Sequence, residues 1–450
     1  MTAACRLVVR RQGARFWSRQ VGFVAGVLIA LSIPAAAQTT TNGNVTVAGD
    51  LFPNRENAAE IRSRIFIEEL IDPSPQVRIS LAGFADGLIA HRPANTSEDD
   101  RVTDGVLGVI DASVSWKRRR MDLLAGFSRI SWGRLDELQP TDVVNPLDAS
   151  RFFFESRSEA RLPVGLLRVR GYLTENTTLE GVYVPFFRRG RFDQLDEPTS
   201  PFNVGQQFNG GVVCLAIGCP TVLPVEVTRR EPAATWKNGQ AGARFNATSG
   251  RVDWSLSAYR GLEPFGFGTL SPASPTAPVF PVDIVNPRFT MIGGDFETVR
   301  GQWGLRGEVA AFVEDNFQGY LQVVSGSSVD AGVGVDRQAG AYRISGTALF
   351  HREAYDEPIG SSDGMVSTRS NLSLILSADR TFSRERYRLR TFAVYTPDES
   401  NAFLRAIGIA NLRDNLALEG SIGWFVGTGQ NLIGTFADSD FVYARLKYYF

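Results

Sequence analysis

From about residue 45 to its end the chain alternates apolar and polar residues with a period of two. In the last segment Val442, Ala444, Leu446, Tyr448 and Phe450 share one face, while Tyr443, Arg445, Lys447 and Tyr449 share the other. Successive side chains of a strand point to opposite sides, so this pattern predicts a strand with one greasy and one charged face. Leu167, Val169, Gly171 and Leu173 alternate in the same way with Arg168, Arg170 and Tyr172. So do Trp303, Leu305, Gly307 and Val309 with Arg306 and Glu308, and Tyr387, Leu389, Thr391, Ala393 and Tyr395 with Arg386, Arg388 and Arg390. Charged faces on so many strands cannot be buried in a dry core without partners. A closed cylinder solves the problem, with greasy faces toward lipid, charged faces toward a wet lumen and every backbone group paired. The prediction is an all-β fold: a transmembrane antiparallel β-barrel of about 18 strands, or 16 if the first pair stays out of the wall. A barrel of that size leaves an aqueous channel.

Connections also alternate in length. Short links are expected at Asp72–Pro75, Lys117–Arg120, Glu175–Asn176, Thr248–Gly250 and Leu412–Asn415, and long ones at Arg134–Pro163, Arg188–Lys237, Glu263–Pro287 and Arg352–Thr368. Short periplasmic turns opposite long external loops are the habit of bacterial outer-membrane barrels.

The N-terminus sets the compartment. Arg6, Arg10, Arg11, Arg15 and Arg19 precede an apolar run, Val21–Ile33, and the small residues Ala35–Ala37. This is the layout of a cleaved secretory signal over residues 1–37. The run falls short of the ~20 residues of a spanning helix, so a membrane anchor is the lesser reading. Residues 38–450 then form a single barrel, because no linker or shift in composition divides them. A net charge of −1 leaves no basic face for nucleic acid. Cys5 goes with the signal; Cys214 and Cys219, close together in a loop of an exported chain, read as a disulfide. A metal site there would lack a nearby His, and neither metal nor cofactor is expected. His91 and His351, both placed near strand ends or loops, are the only histidines, and no G-x-S-x-G or H-E-x-x-H motif occurs. Nothing in the sequence points to an enzyme.

The ending Leu446, Tyr448, Phe450 resembles the terminal signal of Gram-negative outer-membrane proteins, which implies recognition by the barrel-assembly machinery. A second stretch, Trp132-Gly133-Arg134-Leu135-Asp136 followed by Asp142-Val143-Val144-Asn145-Pro146-Leu147-Asp148, is similar to a segment of poorly characterised porin-like outer-membrane proteins. The porin resemblance implies a long loop after the fifth strand that folds inward and narrows the lumen. Counting strands, Met121–Ile130 is the fifth and the sixth begins near Gly165, so Arg134–Pro163 takes that place.

The candidate constriction is therefore Asp136, Glu137, Asp142, Asp148 and Arg151 of the loop, facing Arg168, Arg170, Arg386, Arg388 and Arg390 of the wall. Opposed charges across a narrow zone select solutes by charge. The bland alternatives are a loop packed on itself outside the barrel, and lumen arginines that merely pair with their neighbours. The loop 188–237 is expected to cap the mouth. The function expected is passive diffusion of small hydrophilic solutes, acidic ones included, by a monomer or homotrimer in outer-membrane lipid. A transporter of hydrophobic compounds with Phe152–Phe154 as a greasy entry, or a plugged structural or adhesive barrel, are the alternatives.

Overall fold

The computed structural model describes residues 8–9 and 38–450, apart from 56–57, 92–100, 149–153, 155–156, 192–201, 203–211, 215–221, 272–279, 320–321, 362–363 and 429–431. The predicted export segment 1–37 lies outside the described residues except for Val8–Val9, which pairs in parallel with Asp104 and Gly105.

Eighteen strands build the wall. The first nine are β1 (Gln38–Phe52), β2 (Ala58–Ser74), β3 (Val77–His91), β4 (Arg101–Arg118), β5 (Met121–Ser128), β6 (Val164–Tyr172), β7 (Thr177–Val184), β8 (Gln240–Ser249) and β9 (Val252–Leu262). The second nine are β10 (Arg288–Arg300), β11 (Trp303–Gln318), β12 (Val323–Ala339), β13 (Tyr342–Ser361), β14 (Gly364–Phe382), β15 (Tyr387–Thr396), β16 (Asn401–Arg413), β17 (Leu416–Val426) and β18 (Phe441–Tyr449). Each pairs antiparallel with the next. β18 pairs with β1, from Asn44↔Tyr449 to Leu51↔Val442, so the sheet closes without an edge.

The two-residue period sorts the side chains as expected. Val47, Ile65, Leu167, Leu256, Val309, Val333, Leu389, Trp424 and Leu446 are exposed on the outside of the cylinder. Their sequence neighbours Arg64, Arg168, Ser255, Glu308, Arg388 and Arg445 point inward, where most find charged or polar partners. A closed antiparallel barrel with an apolar belt outside and charges inside is the architecture of bacterial outer-membrane proteins, and this chain has it.

Tight turns gather at one rim with Gln38, where the wall begins, and Phe450. The opposite rim carries the long connections 129–163, 185–239 and 263–287. Two of these carry strands of their own: Val222–Arg230 pairs in parallel with Phe280–Val285, and Phe267–Leu270 and Val212–Cys214 flank them in a separate four-stranded sheet. The predicted Cys214–Cys219 disulfide lies outside the described residues, since Cys219 is not among them.

Three expectations need correction. The segment Arg352–Thr368 is not a loop, because β13 runs through it to Ser361 and β14 starts within it at Gly364. His351 therefore sits in mid-strand, not near a loop; its Nδ1 lies 2.6 Å from Asp330 and its Nε2 3.0 Å from Glu353. Beyond the bilayer both faces of a strand meet water, so Arg352, Glu353, Asp356 and Glu357 lose the alternation that marks a strand within it. The ladder also slips between Ala354 and Ile359, which breaks the period further. Finally, Arg386 is not on the wall. It closes the tight turn after β14, where Ser383, Arg384 and Glu385 adopt left-handed conformations (φ of 49, 55 and 68°).

Candidate functional site

The loop after β5 runs inward and is pinned to one side of the lumen. Its first residues turn back on themselves: the Ile130 N–H donates to Asn145 Oδ1 (2.9 Å), and the Trp132 N–H donates to Asp142 Oδ1 (3.1 Å). Arg161 pairs with the other Asp142 oxygen at 2.6 Å and donates to Ser131 and Gln139, so the loop carries its own charge-assisted staple.

Wall contacts fix where the loop lies. The Trp132 indole N–H donates to Glu180 of β7 at 2.9 Å, and its ring meets Tyr259 of β9 edge-on at 6.0 Å. Arg134 pairs with Asp295 of β10 at 2.7 Å and with Glu297 at 3.2 Å. Glu308 of β11 is buried, yet no cation is paired with it among the described contacts. Instead it accepts the backbone N–H groups of Arg134 (2.9 Å), Leu135 (3.3 Å) and Thr141 (2.7 Å), and the Thr141 hydroxyl at 2.8 Å. A carboxylate held by four donors is well satisfied without a counter-ion. Ile130, Trp132 and Val144 complete the seal in an apolar cluster with Val164, Leu166, Tyr259, Phe289 and Met291.

The candidate constriction residues are thus divided. Asp136 pairs with Arg306 of β11 at 2.8 Å and reaches Arg343 of β13 at 3.9 Å. Glu137 pairs with Arg390 of β15 at 2.6 Å. Asp142 is spent inside the loop on Arg161, and Asp148 lies 3.7 Å from Arg191 of the next loop. Arg170 pairs with Glu180 at 2.6 Å, and the Nε of Arg168 is buried with no hydrogen-bond partner among the described residues. Arg388 faces the lumen but pairs with Asp379 at 2.5 Å. Arg151 lies outside the described residues. Of the expected opposed pairs, Glu137 with Arg390 is formed among the described residues.

Sequence reading missed Glu308, Asp295, Arg306 and Arg343 as the loop's anchors. A signal was present. Gly242, Gly293 and Gly332 interrupt the lumen-facing rows of β8, β10 and β12, and a Cβ on any of them would strike Trp132, Thr141 or Leu135 within 2.6–2.8 Å. The loop's footprint is written on the wall as missing side chains.

The opposite wall stays open. One cavity of about 330 Å³ is lined by Arg62, Arg64, Arg129 and Lys447 together with Asp50, Asp86 and Asp104 of the wall and Glu159 of the loop. A second, of about 560 Å³, is lined by Arg388, Arg390, Arg405 and Lys447, and shares Phe154 and Glu159 with the first. Outside the membrane span, the rim holds two displaced titrations. Burial pushes the Glu263 carboxyl up to about 7, and burial pushes the Arg188 guanidinium down to about 10. Arg188 donates to the Pro163 carbonyl and sits 5.2 Å over the Phe127 ring, which ties two loops together.

The family model for a protein of unknown function, DUF1302, matches residues 110–342, a little over half of the chain and all of the inward loop. The chain belongs to the DUF1302 family. No curated protein matches this DUF1302 chain in sequence. Among solved structures it is similar to OccK7 (OpdD) of Pseudomonas aeruginosa, at 9% identity and a TM-score of 0.47 over 93% of this chain and 99% of that one. It is similar also to OccAB3 of Acinetobacter baumannii (12%, 0.47, 93% and 100%) and to a BenF-like porin of Pseudomonas fluorescens Pf-5 (11%, 0.47, 93% and 99%). The closed strand ladder, independent of these likenesses, fixes the fold of the DUF1302 barrel.

Proposed function

We propose that this DUF1302 protein is a porin-like diffusion channel of the bacterial outer membrane that passes small hydrophilic solutes and favours acidic ones. One observation carries the reading: the inward loop is fastened to the β7–β13 side, and in both cavities it leaves the arginines and the lysine outnumber the carboxylates. Asp50, Asp86 and Asp104 share the smaller cavity with these cations, and Glu399 and Glu419 the larger, while Glu137 and Glu159 stand on the loop side. Mixed charges with the bases in excess set a field along the path, which discriminates solutes by charge. Asp136, Asp142 and Asp148 support this arrangement by holding the loop in place, each through a cation. Export by a signal over residues 1–37, insertion guided by Leu446, Tyr448 and Phe450, and assembly as a homotrimer belong to the same proposal. Single-channel recording of the purified protein in a planar bilayer tests it. The expected result is stepwise current with a reversal potential favouring chloride over potassium; a silent protein overturns the reading.

A further inference from the structure

The lumen of a water-filled barrel is expected to be polar, yet one stretch of this one is greasy. Reading down from the loop-bearing rim, Ile375, Val394 and Phe403 lie abreast on β14, β15 and β16. Phe392 lies one row below, opposite Arg405. All four line the cavity of about 560 Å³, and Phe154 of the inward loop lines it too. Phe392 and Val394 are only half-buried, packed against the rim's phenylalanine cluster but open to the cavity on the other side.

Directly beneath this belt the same cavity becomes charged. Arg390 is one row lower on β15 and Arg388 the next, while Lys447 lies below them on β18. Arg390 already pairs with Glu137 and Arg388 with Asp379, and Glu419 of β17 also lines the cavity. Lys447 has no carboxylate partner among the described residues; its ammonium rests 5.0 Å over the Tyr449 ring, so an incoming acid finds Lys447 uncompensated and the two arginines shared. An apolar belt stacked on such a row suits neither a sugar nor a simple inorganic ion. It complements a molecule with a compact hydrocarbon body and one anionic end.

We infer that this cavity is a solute subsite for amphipathic monoanions, with the hydrocarbon body against Phe392 and Phe403 and the acid group on Arg390, Arg388 and Lys447. The inference rests on the channel reading and narrows its solute class. Entry from the rim places the apolar contacts first and the cations below, so such a solute is drawn in acid end foremost. Guanidinium groups suit a carboxylate or sulfonate, and the ring supplies the affinity that a small hydrophilic acid lacks.

Four probes separate the parts: cyclohexanecarboxylate, acetate, cyclohexanemethanol and cyclohexanemethylamine, each added to the full-length protein conducting chloride in a bilayer. Cyclohexanecarboxylate is expected to block chloride current at a concentration at least about tenfold below acetate, equivalent to burying about two methylenes. The alcohol and the amine are expected to block weakly or not at all. Phe392→Ala should abolish the advantage over acetate, whereas Arg390→Gln should keep the ring preference and weaken block by both acids; β-sheet circular dichroism and heat-modifiable mobility establish that each variant is folded. Equal block by the two acids overturns the subsite and leaves the channel standing. If chloride current is absent, titration calorimetry of the same four probes decides: selective binding of cyclohexanecarboxylate upholds the subsite while the channel reading falls, and equal binding overturns both.

Discussion

Gly133 lies against Glu308 so closely that a Cβ on residue 133 would stand 2.5 Å from the Glu308 carboxylate, and its φ of +85° is one that other residues resist. The pair sets the loop at the point where it leaves Trp132 and meets the wall. A left-handed conformation costs a non-glycine residue roughly 1–2 kcal/mol, and the close approach adds to that cost.

Removing Glu308 should free the loop. Glu308→Ala strips four donors of their acceptor, and each buried donor left unsatisfied costs about 1–3 kcal/mol. The expected outcome is a larger, noisier single-channel conductance and protease cleavage between residues 134 and 141. Gly133→Ala should act in the same direction with a smaller effect. A steady current at the native level in Glu308→Ala would mean that the loop does not narrow the path.

Charge selectivity should depend on row, not merely on charge. Arg390→Ser also releases Glu137, so the chloride-to-potassium permeability ratio should fall, by about twofold or more given the strength of such fields at close quarters. Arg386→Ser is the control: Arg386 lies in the turn below the wall, its guanidinium 5.7 Å from the Tyr387 ring, and the ratio should not change. Equal effects at 386 and 390 would place the selective zone at the periplasmic rim instead.

The C-terminal residue completes the seam. Gly43 and Phe450 exchange both backbone hydrogen bonds (2.9 and 3.0 Å), and a Cβ on residue 43 would fall 2.4 Å from the Phe450 ring. Gly43→Val is expected to lower the yield of folded, heat-modifiable barrel several-fold. Native yield in Gly43→Val would show that the ring has room to move.

The Glu263 carboxyl bears on rim stability. Its ordinary pKa near 4.5 is raised to about 7 by burial, with the nearby Asp315 acting in the same sense. The folded rim thus prefers the protonated form. Its stabilising effect is complete below pH 4.5 and is lost as pH rises through about 7, an effect of at most about 3 kcal/mol. Proteolysis of the connection 263–287 should therefore be slower at pH 5 than at pH 8, and Glu263→Gln should flatten the difference. A pH-independent rate in the native protein would contradict this assignment.

The wall was readable because one physical constraint, lipid outside and water inside, repeats at every second residue of β6, β11, β15 and β18. It ceased to be readable where that constraint ends. Arg352 to Glu357 stand above the bilayer, and the strand there carries charge on both faces. Within the site, the segment from Trp132 to Asp148 was conspicuous, but its partners were not, because pairing between Asp136 and Arg306 or between Thr141 and Glu308 joins residues more than 160 apart. Period-two reasoning gives the face of Arg168 and Arg170 correctly yet says nothing about Glu180, which neutralises Arg170 from the adjacent strand. Arg386 was misplaced by a single position, since a turn begins where the alternation still looks regular.

The small sheet above the rim binds two loops that are far apart in sequence: Val225 to Arg230 run parallel to Phe280 to Val285. Hairpin loops on a barrel are ordinarily trimmed one at a time, as independent ornaments. Here neither can be excised without stripping the other of its hydrogen-bonding neighbour, so the crown over β7 to β10 behaves as one mechanical part, and whatever meets the cell surface there meets a shape to which both loops contribute.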